Sequence, residues 1–109
     1  MTTLSLTTRE EGEQVRIALS GELDLSSALT FDEEVRRAEE RCPRTIVLDL
    51  RHLKFLDSTG LRLIMSAQAR ARKRGCRLAI VEGTDAVRRI FRLAGVERRL
   101  DLVQDVPAA

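Results

Sequence analysis

Residues 45–61 read Thr45-Ile46-Val47-Leu48-Asp49-Leu50-Arg51-His52-Leu53-Lys54-Phe55-Leu56-Asp57-Ser58-Thr59-Gly60-Leu61. The first six are β-branched or apolar without alternation, interrupted only by Asp49. A strand covered on both faces has that composition, so this one is predicted to be central and parallel. A short connection holding Asp57, Ser58, Thr59 and Gly60 then leads into a helix running from Leu61 to about Arg74. Asp57 is placed to cap that helix, with Ser58, Thr59 and Gly60 in its first turn. Leu61, Ile64, Met65, Ala67 and Ala71 supply apolar positions, and Gly75 sits where a left-handed residue ends a helix.

The flanking sequence extends the same alternation of elements. Leu4 and Leu6 alternate with Ser5 and Thr7, and Val15, Ile17 and Leu19 alternate with Arg16, Ala18 and Ser20. These are two half-buried strands, joined as a hairpin or lying as neighbours in one sheet. Ser26 or Ser27 is positioned to cap a helix carrying Ala28, Phe31, Val35, Ala38 and Cys42 at spacings of three and four, stopped by Pro43. Leu78-Ala79-Ile80-Val81 is a second buried strand. Thr84 or Asp85 caps a third helix with Val87, Ile90, Phe91 and Ala94 on one face, and Gly95 closes it. Leu100, Leu102 and Val103 mark a last short strand, and a tail runs from Gln104. The order β-β-α-β-α-β-α-β implies right-handed crossovers around a mostly parallel or mixed sheet of four to five strands, packed with three to four helices: an α/β fold.

Composition limits the function. The 109 residues make one domain, expected over 1–109, which buries about two thirds of its unfolded surface. No apolar run approaches membrane-spanning length, and the Met1-Thr2-Thr3-Leu4 start has no signal-peptide character, so a cytoplasmic protein without a membrane partner is expected. Cys42 and Cys76 lack metal or redox spacing and His52 is the only histidine, which argues against a metal or other cofactor. The two cysteines are expected as small buried apolar residues. The net charge is only +2, and three phenylalanines are the only aromatics, so no nucleic-acid partner is expected. The basic residues Arg70, Arg72, Lys73, Arg74 and Arg77, like Arg88, Arg89 and Arg92, fit solvated helix faces.

Enzymatic chemistry finds little footing. Ser58, His52 and Asp49 or Asp57 are residue types of a hydrolytic triad, but residues 56–60 read Leu-Asp-Ser-Thr-Gly rather than G-x-S-x-G. Asp49 could be a receiver-type phosphoacceptor, yet no acidic pair follows an earlier strand to hold Mg²⁺. Glycine-rich phosphate loops are missing.

The Thr45–Leu50 strand followed by Phe55-Leu56-Asp57-Ser58-Thr59-Gly60-Leu61 resembles the STAS family of anti-sigma factor antagonists. So do Gly21-Glu22-Leu23-Asp24, Arg77-Leu78-Ala79-Ile80-Val81 and the Val87–Val96 segment. The resemblance implies a cytoplasmic, non-enzymatic protein that binds an anti-sigma factor and so frees a sigma factor for transcription. It implies phosphorylation at Ser58 by that partner, a serine kinase with a histidine-kinase-like ATPase fold, and reversal by a metal-dependent serine phosphatase. Asp57, Thr59, Gly60 and Asp24 would support the phosphosite, with Leu61, Arg62, Met65 and Lys54 at the partner surface. The alternative is a STAS module that works without phosphorylation, as a scaffold or a transporter-associated subunit. Members commonly end in a further helix, and the residues after Asp105 allow no more than a turn.

Overall fold

The computed structural model describes residues 3–105. Among them the order is β1 (Leu4–Glu11), β2 (Gln14–Leu23), α1 (Ala28–Glu40), β3 (Thr45–Leu56), α2 (Ser58–Arg74), β4 (Arg77–Val81), α3 (Asp85–Ala94), a 3₁₀ turn η1 (Glu97–Arg99) and β5 (Asp101–Val103). The strands lie in sequence order across one mixed sheet, with β1 antiparallel to β2 and all later neighbours parallel. The hairpin expected from Leu4 and Val15 is therefore present. The central parallel strand expected at residues 45–50 is β3.

β3 is twice as long as its sequence suggests, and the reason is physical. Against β2 its register slips between Ala18/Ser20 and again between Gly21/Glu22, each slip adding one residue to β3. Two bulges convert a period of two into a period of three, so Leu50, Leu53 and Leu56 all reach the core. Residues 51–56, expected as connection, are strand. Beyond Asp49 the β4 partner ends and β3 continues alongside β2 alone.

The core is one apolar layer between the sheet and the helices. Ile46, Leu48 and Leu50 of β3 join Phe31 and Val35 of α1, Ile64 and Ala67 of α2, and Val87 and Phe91 of α3 in a single cluster. All three helices thus cover one face. On the other face Val47, Ala79 and Val81 form a smaller cluster with Val103. Four sequence expectations change. Ser27 occupies the cap position of α1, but its hydroxyl turns back, donating to Glu22 O at 2.9 Å and accepting from Asp24 N at 3.1 Å. Ala94 is exposed, because Val87 and Phe91 fill the contact. Cys42 is exposed beyond the end of α1 in a left-handed conformation (φ 49°), and Cys76 is half-buried. Neither thiol is a core residue, although burial pushes the Cys76 thiol pKa up. Of the tail expected from Gln104, residues 106–109 lie outside the described residues, and with them the question of a further helix.

Asp49 lies on the face without helices, its side chain 5% exposed. Arg51 clasps it with Nε at 3.0 Å, Nη2 at 2.8 Å and its backbone N–H at 3.1 Å. Arg16 reaches it at 3.3 Å and links it to Asp105 at 3.0 Å. Burial opposes the charge on Asp49. The hydrogen bonds from Arg51 and the positive charges of Arg51 and Arg16 outweigh that effect and hold its pKa below the ordinary carboxylate value. A pKa lower in the folded than in the unfolded chain adds stability that is complete above about pH 4 and is lost as pH falls through the folded value. Asp49→Asn should therefore cost about 2–3 kcal/mol at pH 7. Urea midpoints measured at pH 7 and pH 3 should show the gap between variant and wild type narrowing in acid.

Candidate functional site

The site lies at the carboxyl edge of the parallel strands, where β2 and β3 end together at the paired residues Leu23 and Leu56. Asp57 is fixed there by three bonds. Its N–H donates to Leu23 O at 3.2 Å, its carboxylate Oδ1 accepts from Gly60 N at 2.9 Å, and its carbonyl accepts from Leu61 N at 3.0 Å. Asp57 is thus the cap that the sequence predicts, with the Gly60 N–H as the donor. Ser58, the first residue of α2, follows on rigid backbone, exposed to solvent. It stands beside helix amides that no intrahelical carbonyl can reach.

Gly60 is required by proximity. A Cβ there would lie 2.7 Å from Leu56 Cδ1, 2.8 Å from Leu23 Cγ and 2.9 Å from Leu23 O. Both leucines are buried to 2% exposure or less, so neither has room to yield. Asp24 follows Leu23 as Asp57 follows Leu56, which brings the two acidic residues to the same edge. The Asp24 carboxylate ties down its own loop, accepting from Ser26 N at 2.9 Å and from Ser26 Oγ at 2.6 Å. Gly21 begins this segment at φ 100°, a conformation open to glycine, and a Cβ there would strike Thr3 O.

Of the expected surface residues, Arg62 and Lys54 are exposed, whereas Leu61 and Met65 are half-buried and pack on the core. Thr59 is half-buried. The exposed apolar side chains at this edge are others: Leu25, Leu29 and Phe55, at 76%, 70% and 45% exposure. Sequence reasoning missed them, although Leu29 lies off the Phe31–Val35–Ala38 stripe of α1 and Leu25 precedes the helix. The triad is not assembled. His52 is exposed on β3, with roughly 16 Å of extended strand between it and Asp57. Asp49 is bound to arginines, which leaves no acceptor for phosphoryl chemistry there. A cavity of about 560 Å³ lies at the opposite end of the sheet, between the ends of α1 and α2 near Pro43, Ile46 and Ala71.

Two variants check this construction by chemical denaturation. Gly60→Ala should lose about 1–3 kcal/mol, because the first turn of α2 must lift off β2. Asp57→Ala should lose about 1 kcal/mol, the value of a helix cap.

Comparison with known proteins agrees with this architecture. The family model described as "Mlab, STAS domain" matches residues 6–104. An anti-sigma F factor antagonist of Paenibacillus polymyxa is 31% identical over 84 residues, 73% of this chain and 69% of that protein. The crystal structure of an anti-sigma factor antagonist from Mycobacterium paratuberculosis superposes with a TM-score of 0.87 at 21% identity, covering 95% of this chain and 88% of that one. The Bacillus cell fate determinant SpoIIAA in its phosphorylated form superposes at 0.68 with 22% identity, covering 93% and 91%. With its five-stranded mixed sheet, its three helices on one face and a family match over nearly its whole length, the chain belongs to the STAS domain family.

Proposed function

We propose that this protein is an anti-sigma factor antagonist, a regulatory binding protein rather than an enzyme, whose partner binding is switched off by phosphorylation of Ser58. The observation that carries the proposal is the Ser58 hydroxyl, exposed on the capped first turn of α2 at the edge where β2 and β3 end. A kinase needs an accessible hydroxyl, and a protein partner needs apolar surface with a polar rim. Leu25, Leu29 and Phe55 supply the apolar surface, with Arg62 and Lys54 as its basic rim. Leu61 and Met65 are half-buried and pack on the core. Relatives named as anti-sigma factor antagonists support the partner class, and a fold neighbour solved in a phosphorylated form supports the chemistry.

In this reading the unphosphorylated protein captures the anti-sigma factor and frees a sigma factor. That partner is a serine kinase with a histidine-kinase-like ATPase fold, and a metal-dependent serine phosphatase restores the hydroxyl. Asp57 and Gly60 hold the serine in place, Asp24 shapes the adjoining loop, and Thr59 continues the first turn.

The test is co-expression with candidate serine kinases, read by intact mass and by affinity for each kinase. Wild type should gain one phosphate and lose affinity by several hundred- to several thousand-fold, equivalent to about 3–5 kcal/mol. Ser58→Ala should take up no phosphate and stay bound, while Ser58→Asp should bind weakly. Arg62→Glu should weaken kinase binding with an unchanged melting temperature. A protein that gains no phosphate from any kinase tested would instead be a phosphorylation-independent scaffold.

A further inference from the structure

A second surface, on α3 and η1, carries charge that the fold itself leaves unanswered. Several arginines elsewhere are answered by carboxylates, Arg16 and Arg51 by Asp49, Arg70 by Glu39 and Arg77 by Asp101, whereas Arg9 and Arg62, without one among the described residues, do not cluster in sequence. On α3 only Arg88 is treated this way, with Glu82 and Asp85 at 3.8 and 3.6 Å. Among the described residues, the exposed side chains of Arg89, Arg92, Arg98 and Arg99 have no ion pair or hydrogen bond. Arg89 and Arg92 are one turn apart, a like-charge spacing that disfavours the helix. Leu93, one turn after Arg89 on the outer face, is 71% exposed. Val87 and Phe91 anchor the opposite face of α3 in the core. η1 is held to the end of α2 by a 2.9 Å hydrogen bond from Arg72 Nη2 to Arg99 O. The arginines are therefore displayed from a fixed platform.

We infer that this face is a docking surface for an acidic protein segment, one that places an apolar side chain on Leu93 and carboxylates on Arg89, Arg92, Arg98 and Arg99. Charge complementarity sets the class of partner. The guanidinium fork matches carboxylates in pairs, and a single apolar anchor inside a charged rim is the layout of a small protein interface. One exposed leucine is too little to enter a bilayer. The only aromatic residue of α3, Phe91, is buried and cannot stack on a base. The surface is separate from the Ser58 edge and does not depend on phosphorylation.

The probe is a labelled 20-residue peptide of glutamates interspersed with leucines, titrated into the full chain by anisotropy at low salt. Vesicles of phosphatidylcholine with one fifth phosphatidylserine and a 20-base-pair DNA duplex are titrated alongside. Arg89→Gln with Arg92→Gln should weaken peptide binding at least tenfold. Arg36→Gln with Arg37→Gln, which removes the same net charge from α1, should change it less than twofold. Leu93→Ser, with no change in charge, should weaken it at least threefold. The melting temperature of the Arg89/Arg92 variant should stay level or rise by about 1–3 °C as the repulsion is relieved. Equal losses in the two double variants would reduce the effect to net charge and overturn the inference. Unchanged binding by Leu93→Ser, a lower melting temperature in the Arg89/Arg92 variant, or tighter binding to vesicles or DNA than to the peptide would overturn it too.

Discussion

The hydrogen bond from Asp57 N–H to Leu23 O fixes how the last residues of β3 and the first turn of α2 meet the end of β2. It is available only because β3 keeps pairing with β2 for seven residues after β4 has stopped. It also forces the contact that excludes any side chain at position 60, since Leu23 O lies 2.9 Å from where a Cβ would stand. Bond, bulges and glycine form one constraint. Together they carry Asp57 and Ser58 to the edge of the sheet and stop α2 from sliding along it.

The distribution of charge follows a comparable logic. Asp49 is tolerated on a buried face because Arg51 and Arg16 surround it, and an unpaired carboxylate at the same depth would be severely destabilising. Glu39 in α1 is matched by Arg70 of α2 at 2.9 Å, which ties the two helices together across the core layer. The buried carboxylates Asp49 and Glu39 are thus both paired with arginine. The unpaired arginines of α3 and η1 are exposed, where water solvates them at little cost and where a partner can still reach them.

Much of this was legible in the sequence, and the misses share a cause. Strands whose side chains follow one period throughout, such as Val15-Ile17-Leu19 and Leu78–Val81, were readable, as were the helices with their Asp57, Thr84 and Gly75 boundaries. The second half of β3 was not, because two bulges set Leu50, Leu53 and Leu56 three apart, a spacing that mimics a helix turn or a loop. Ser27 looked like a cap by residue type, yet its hydroxyl had a better partner in Glu22 O. Cys42 fitted the stripe of α1 by spacing, but the helix ends at Glu40 ahead of Pro43. At the site, the capped serine was visible because a cap is local chemistry. The exposed Leu25, Leu29 and Phe55 were not, because their exposure on a loop, a helix and a strand is decided by tertiary packing.

The same constraint bears on how the proposed switch would operate. A phosphate on Ser58 would stand roughly 6 Å from the Asp57 carboxylate. A charge of −2 there repels a charge of −1 by ~1.4 kcal/mol in bulk water and ~5.5 kcal/mol at an effective dielectric of 20. The amides and dipole at the start of α2 return ~0.3–1 kcal/mol. In the free protein the lower figure governs, because Ser58 is exposed and a phosphate there stays hydrated. Displacing α2 would instead sacrifice the Asp57 bonds and the burial of Ile64, Ala67 and Ala71, which together exceed that repulsion. Refolding is therefore the more expensive response, and the domain keeps its shape. The penalty falls on association. A partner that covers Leu25, Leu29 and Phe55 would also have to strip water from a dianion beside a carboxylate. In the proposed switch, discrimination between the two states would then arise at the interface, through desolvation, with the Asp57 anchor holding the phosphate in the partner's path.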